Sequence, residues 1–258
     1  MQIMQERETS RFLGVMIRMG EALQNCGAEV YRVEDTLNRI GYAYGAEDVN
    51  VFVITSSIVL TIKMPDQEPQ TQTCRLVKNS GNDLLMLERL NAFSRQICVT
   101  TPSVDKINRQ LDEILEQSFD PRQRLFGGVL AAASFAVFFG GTVWDGGLAA
   151  AVAVLIWLMQ EKIAPFCLNE LEFQFVASFT SGAVVFLLCS VLPQFNADRV
   201  MIGDIMLLIP GIMLTNSIRD ILLGDIISGL LRLTEALLLA AALALGIMAA
   251  IWLVGGIL

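Results

Sequence analysis

The stretch from Gly203 to Ala236, GDIMLLIPGIMLTNSIRDILLGDIISGLLRLTEA, decides how the rest of the chain is read. Apolar residues dominate it, as in a membrane span. It also carries Asp204, Arg219, Asp220, Asp225, Arg232 and Glu235, a Pro210-Gly211 break, and glycines at 224 and 229. Ionised groups inside an apolar span are costly, so they usually face a bundle interior or a wet cavity. Backbone broken at membrane depth is tolerated only where protein buries it or where it lines such a cavity. Broken helices of this kind often build solute sites in transporters. The competing expectation is plainer. Asn216, Arg219 and Asp220 would form an ordinary loop, and the charges would cap helix ends at the cytoplasmic surface.

Composition divides the chain. It has 258 residues, 54% of them hydrophobic, and a mean hydropathy of +0.56, high for a soluble domain. Residues 1–124 hold 14 Lys+Arg and 17 Asp+Glu, whereas residues 125–258 hold only 4 and 9. A soluble module (1–120) and a membrane module (121–258) follow. The net charge of −8 argues against nucleic acid, which selects basic surfaces. Five scattered cysteines and no histidine argue against a zinc site and against any histidine-based dyad or triad, and suggest reduced thiols. No cofactor is expected. The first residues, MQIMQERETS, lack an apolar leader core, so the first module is expected in the cytoplasm.

Periodicity outlines the soluble module as α+β. Thr9 or Ser10 is expected to cap a helix reaching Asn25, with Phe12, Val15, Met16, Met19 and Leu23 on one face. A second helix runs from Ala28 to about Tyr44. Its polar side holds Glu29, Arg32, Glu34, Asp35 and Arg39, read as a solvated face or as a docking surface. Residues 49–55 and 58–64 read as a hairpin around Ser56 and Ser57. Thr71 to Lys78 reads as a third strand and Asn79 to Asn82 as a turn. Helices over 83–97, with Leu84, Leu87, Leu90 and Phe93 inward, and over 104–117 complete the module, and Asp120-Pro121 is the hinge.

The membrane module is expected to be polytopic, with about five spans near 125–143, 147–159, 173–192, 200–214 and 226–252. Small residues mark the first as a packing helix. Lys/Arg bias places Arg122, Arg124, Lys162, Arg219 and Arg232 inside and Arg199 outside, hence the C-terminus outside. Five is odd, which suggests a partner chain or a homo-oligomer.

Within the last span, Asp225, Ser228, Arg232 and Glu235 fall on one helical face. Arg232 and Glu235 stand at i,i+3, where they can neutralise each other. Arg232 also suits a ligand carboxylate through its planar fork. Asp204 and Glu235 are the candidate coupling-proton or cation sites. Backbone near Pro210-Gly211, and the helix start after Thr215-Asn216, can hold a solute's charged groups.

Three stretches carry a resemblance: GAEVYRVEDTLNRIGYAYG (27–45), FGGTVWDGGLAA (139–150) and PGIMLTNSIRDILLGDIISGLLRLTEA (210–236). They resemble the threonine/serine exporter family, and most nearly its split form, the YjjP type, over nearly the whole chain. The resemblance implies an inner-membrane exporter, not an enzyme. Full-length relatives are associated with proton-driven efflux of threonine and serine, and the split pair with succinate. It implies a small YjjB-type membrane subunit as partner. It places weight on Glu29, Arg32, Glu34 and Asp35, and on Pro210, Gly211, Asn216, Arg219, Asp220, Gly224, Asp225, Ser228, Gly229, Arg232 and Glu235. The alternatives are a membrane-anchored sensor or regulator, or a hydrolase using Glu29, Glu34 and Asp35 as acid/base groups.

Overall fold

The computed structural model describes residues 6–76, 83–116 and 120–255. In chain order come helices α1 (Glu6–Asn25) and α2 (Val30–Ala43), strands β1 (Asp48–Ile54), β2 (Ser57–Lys63) and β3 (Gln70–Arg75), and helices α3 (Leu84–Thr100) and α4 (Val104–Leu115). Then follow α5 (Pro121–Phe138), α6 (Val143–Lys162), a 3-10 turn at Ala164–Phe166, α7 (Glu170–Val191), α8 (Ala197–Leu208), α9 (Gly211–Leu223) and α10 (Ile226–Gly255). The chain separates into two compact units: Met1–Ser118 with Ile212–Leu233, and Phe119–Gly211 with Thr234–Leu258.

The first unit is a small antiparallel sheet, in the order β1-β2-β3, covered by helices. Strands β1 and β2 pair from Asp48↔Lys63 to Ile54↔Ser57, leaving Thr55-Ser56 as a two-residue connection. Alternation decides the buried face: Ile58, Leu60 and Ile62 of β2 are all fully buried. They join Phe12, Met16, Met19 and Leu23 of α1 and Val33 and Leu37 of α2 in one core. The expected face of α1 is therefore the observed one. Its start is not. The helix already runs at Glu6, so Thr9 and Ser10 lie inside it and cap nothing. Thr9 is buried and its hydroxyl donates to Gln67 Oε1 at 2.9 Å, a tertiary use that sequence spacing does not show. Strand β3 ends at Arg75, and the expected turn at Asn79–Asn82 lies outside the described residues. On α3, Leu84 is exposed, and Met86 and Ile97 join Leu90 and Phe93 in the core.

The outer edge of β1 is closed at Val53. Its N–H donates to Glu34 Oε1 at 2.9 Å, and its carbonyl accepts from Ser228 Oγ at 3.3 Å. Capping an edge strand in this way removes a template for unwanted pairing. The surrounding protein pushes the Glu34 carboxyl above the usual glutamate range by desolvation. The Val53 N–H opposes the shift and the charge of Asp225 adds to it. The folded state thus holds the Glu34 proton to higher pH than the unfolded chain does. Between the two values the native state binds more protons, so this residue costs stability at neutral pH and the cost shrinks as pH falls. Glu34→Gln should flatten that component. Chemical unfolding at about pH 7 and about pH 5 should show a smaller stability difference for the variant attributable to this group.

The second unit is helical and lined by small residues. Ala132 and Ala136 of α5, Ala149 and Ala153 of α6 and Ala177 of α7 are buried with Val152, Ile156, Val185 and Val200. Small side chains let helices approach closely where burial from water drives little. The close approach is tightest at Gly246 of α10, where an added Cβ would sit 2.0 Å from Ser178 Oγ and 2.6 Å from the Phe175 carbonyl.

Sequence and structure differ on the spans. Among the described residues, three helices are long and apolar enough to cross a membrane: Val143–Phe166, Glu170–Val191 and Ile226–Val254. The pair α8–α9, interrupted at Ile209-Pro210, passes the same test when taken together, which makes four. The expected first span (125–143) falls mostly on α5, which ends before it does, and the expected second (147–159) lies within α6. Helix α5 stops at Phe138, and α6 starts at Val143 behind a capping box. Thr142 Oγ1 accepts from Asp145 N at 3.2 Å, and Asp145 Oδ2 accepts from Thr142 N at 2.7 Å. Two orphan amides are thereby satisfied reciprocally. Asp145 is 2% exposed and also accepts from Asn196 N at 2.7 Å. The fold is thus that of a mostly helical membrane protein with a small sheet near its N-terminus.

Candidate functional site

The first unit gathers most of the residues that the sequence singles out. Two elements from distant parts of the chain supply them. One is the turn joining α1 to α2, residues 24–30. The other is the hairpin of α9 and the first turns of α10, which belongs to the same unit. Gly229 makes that hairpin tight: an added Cβ would lie 2.5 Å from Ile221 Cγ1 and 2.8 Å from the Ser217 carbonyl.

Asn216 Nδ2 donates to the Gly27 carbonyl at 3.0 Å. Arg219 Nη1 meets Glu29 Oε1 at 2.6 Å, and Arg32 Nε meets Glu29 Oε2 at 3.2 Å. Glu29 is therefore held between two guanidiniums and is 9% exposed, which removes it from the solvated face read in the sequence. Both arginines are more than half exposed, so each of these pairs contributes at most about 1 kcal/mol. Asp35 pairs with Arg39 at 2.9 Å one turn along α2, as its i,i+4 spacing suggests.

The interior of the cluster is different. Asp220 is fully buried and Arg232 is 8% exposed. Asp220 Oδ2 stands 3.0 Å from Arg232 Nη1. Its other oxygen accepts from Val30 N, the first amide of α2, at 3.4 Å. Arg232 Nη2 donates to Gln24 Oε1 at 3.1 Å and to the Ala28 carbonyl at 3.4 Å. The Asp220–Arg232 contact is an ion pair by distance, yet among the described residues neither Oδ2 nor Nη1 completes an aligned hydrogen bond, and Gln24 Nε2 is buried without a partner. Buried polar atoms are normally satisfied, so this is an unusual concentration of unmet capacity. Asp220, one residue after the Arg219 that binds Glu29, is thus a charge partner of Arg232.

Asp225 lies in the turn between α9 and α10, where its charge acts on Glu34. Ser228 sits one turn into α10, on Val53. The cluster therefore unites Asn216, Arg219, Asp220, Ser228 and Arg232 with Glu29, Arg32 and Glu34. Asp204, Pro210, Gly211 and Glu235 group with the second unit instead. Gln24, Gly27, Ala28 and Val53, which the sequence reading did not select, contribute through backbone groups or a neutral amide. Such groups leave no trace in charge patterning.

In the second unit, Asp204 on α8 is 2% exposed, and neither carboxylate oxygen has a hydrogen-bond partner among the described residues. Beyond it the helix stops before Pro210. The Leu208 carbonyl left by the break accepts a hydrogen bond from Gln174 Nε2 of α7. A neighbouring helix thus satisfies the interrupted backbone. The length of α10 also bears on the charges at its start. A 30-residue helix is roughly 45 Å long against about 30 Å of hydrocarbon. Its first two turns can serve the polar cluster while the rest suffices to span.

Relatives include a "Probable threonine/serine exporter" of Mycobacterium tuberculosis, 24% identical over 242 residues that cover 93% of this chain and 46% of the relative. The chain thus spans about half the length of that protein. Two proteins named "Probable succinate transporter subunit YjjP" match nearly end to end. The one from Klebsiella aerogenes is 29% identical, covering 89% of this chain and 88% of its own length. The one from Escherichia coli K12 is 28% identical, covering 99% and 98%. No solved structure matches. These relatives are named for transport rather than for catalysis. The sequence profile of the ThrE family, described as "Putative threonine/serine exporter", matches residues 14–254, and the chain belongs to that family.

Proposed function

We propose that this chain is one subunit of a secondary exporter in the inner membrane, moving a small carboxylate-bearing solute (threonine, serine or succinate) out of the cell in exchange for protons. Its first unit faces the cytoplasm, and a smaller membrane protein supplies the spans that this chain lacks. The observation that carries the reading is Asp204. A carboxylate 2% exposed, with no hydrogen-bond partner among the described residues, stands one turn before a helix break in an apolar unit. Structural carboxylates at such positions are paired, whereas unpaired ones mark ion and proton paths. The half-length coverage of the mycobacterial relative supports a second chain, as does the word "subunit" in the names of the other two.

The test is efflux from inverted vesicles or proteoliposomes carrying this chain with and without its companion, under an imposed proton gradient. Gradient-dependent movement of at least one of the three solutes is expected only with both chains present. Asp204→Asn should reduce the gradient-driven rate by about 100-fold, the scale set by losing a proton-transfer group, while leaving protein yield unchanged. Undiminished flux in that variant would remove Asp204 from the coupling path.

A further inference from the structure

We infer that the turn between α1 and α2 is a binding site for a small carboxylate, and that Asp220 fills it as an internal stand-in. The inference rests on the exporter reading for the natural ligand, since threonine, serine and succinate each carry a carboxylate. The site itself rests on geometry. Helix α2 lacks a local cap: Glu29 stands at the cap position with extended backbone, and its side chain makes no capping bond. The first amide of the helix, Val30 N, instead reaches Asp220 of α9, 190 residues away in sequence. The same carboxylate faces Arg232 Nη1 at 3.0 Å. The groups that meet it are donors: a helix amide and a guanidinium 8% exposed, whose other nitrogen is held by Gln24 Oε1. A positive helix end and a buried guanidinium make an anion site.

Asp220 fills that site loosely. Its bond to Val30 N is long at 3.4 Å, and its contact with Arg232 is not aligned as a hydrogen bond. A carboxylate tethered by one methylene to a helix backbone has little freedom to turn. A free carboxylate can present both oxygens to the arginine fork, which is the stronger geometry. Binding would therefore displace Asp220 and loosen α9 from the turn, where Asn216 and Arg219 also hold it. Solute binding at the turn would thus be passed to α9, which carries part of the charged stretch.

The test uses the full chain in detergent or nanodiscs, with sodium acetate, threonine and succinate as probes and sodium chloride at matched ionic strength as control. Asp220→Asn empties the site of its internal carboxylate. Its carboxylate affinity should rise by about tenfold or more, because the competent state is no longer masked. Its thermal midpoint should climb with acetate and not with chloride, as expected for ligand that binds only the folded state. An Asp220→Asn chain that folds but responds equally to acetate and chloride overturns the inference. If that variant does not fold, Asn216→Ala decides, since it loosens the same docking without removing a charge. Unchanged carboxylate affinity there overturns the site, and tighter affinity supports it. Vesicle flux is read separately. A carboxylate response without flux in the presence of the companion rejects the exporter reading and keeps the site, and flux without the response does the reverse.

Discussion

Replacing Arg232 by Met should destabilise the first unit by about 3–5 kcal/mol, the cost of leaving one member of a buried pair without its counter-charge. The magnitude follows from burial. The two side chains are 10% and 0% exposed, so solvent cannot take over the role of the lost guanidinium. The carbonyl of Ala28 and Oε1 of Gln24 would lose their donor as well. The double variant Arg232→Met with Asp220→Leu removes both charges and should recover most of the loss, since an apolar pair of similar volume often replaces a buried ion pair without penalty. Chemical unfolding followed by tryptophan-independent circular dichroism measures both. A single variant within about 1 kcal/mol of the parent, the range of a solvent-exposed pair, would show that the pair is wet.

The second large effect is expected in the apolar unit. Gly246→Ala should cost about 1–3 kcal/mol by overpacking, with loss of monodisperse protein in detergent as the visible result. The reason is the nature of the obstacles. Ser178 Oγ, 2.0 Å from the added carbon, is a side-chain atom that can rotate away. The Phe175 carbonyl at 2.6 Å and Phe179 N at 3.0 Å are helical backbone and cannot move without shifting α7. Adding Ser178→Ala should therefore relieve only part of the loss. Gly211, which has open space around its Cβ position, serves as the control: Gly211→Ala should leave detergent stability close to the parent value. Size-exclusion profiles and thermal midpoints of the three proteins measure this directly, and full rescue by Ser178→Ala would show that the helices are not held at backbone contact.

Both effects arise from residues whose identity was readable but whose partners were not. The amphipathic faces of α1 and α2, the hairpin of β1 and β2 and the apolar helices follow from the period of their side chains. Asp35–Arg39 follows from spacing on one helix. The Pro210 break and the charges around it are equally visible in the string. What periodicity misjudged was local termination. The Thr142–Asp145 capping box starts α6 at Val143, ahead of the start at 147 that composition suggests. Thr9 and Ser10 carry the chemistry of a cap but lie within a helix already begun at Glu6.

The sequence by itself determined that a charge-rich first part is joined to an apolar helical one, that a proline breaks a helix beside a carboxylate, and that the chain resembles a family of exporters. Those properties reside in composition and in short repeats along one element. Only the tertiary structure decided that α9 and the start of α10 pack with α1 and α2, so that Asp220 caps a helix begun 190 residues earlier and Arg232 pairs with it. The physical reason is that capping and charge pairing require distances of about 3 Å between atoms, whereas sequence separation fixes such distances only within a turn or two of the same helix.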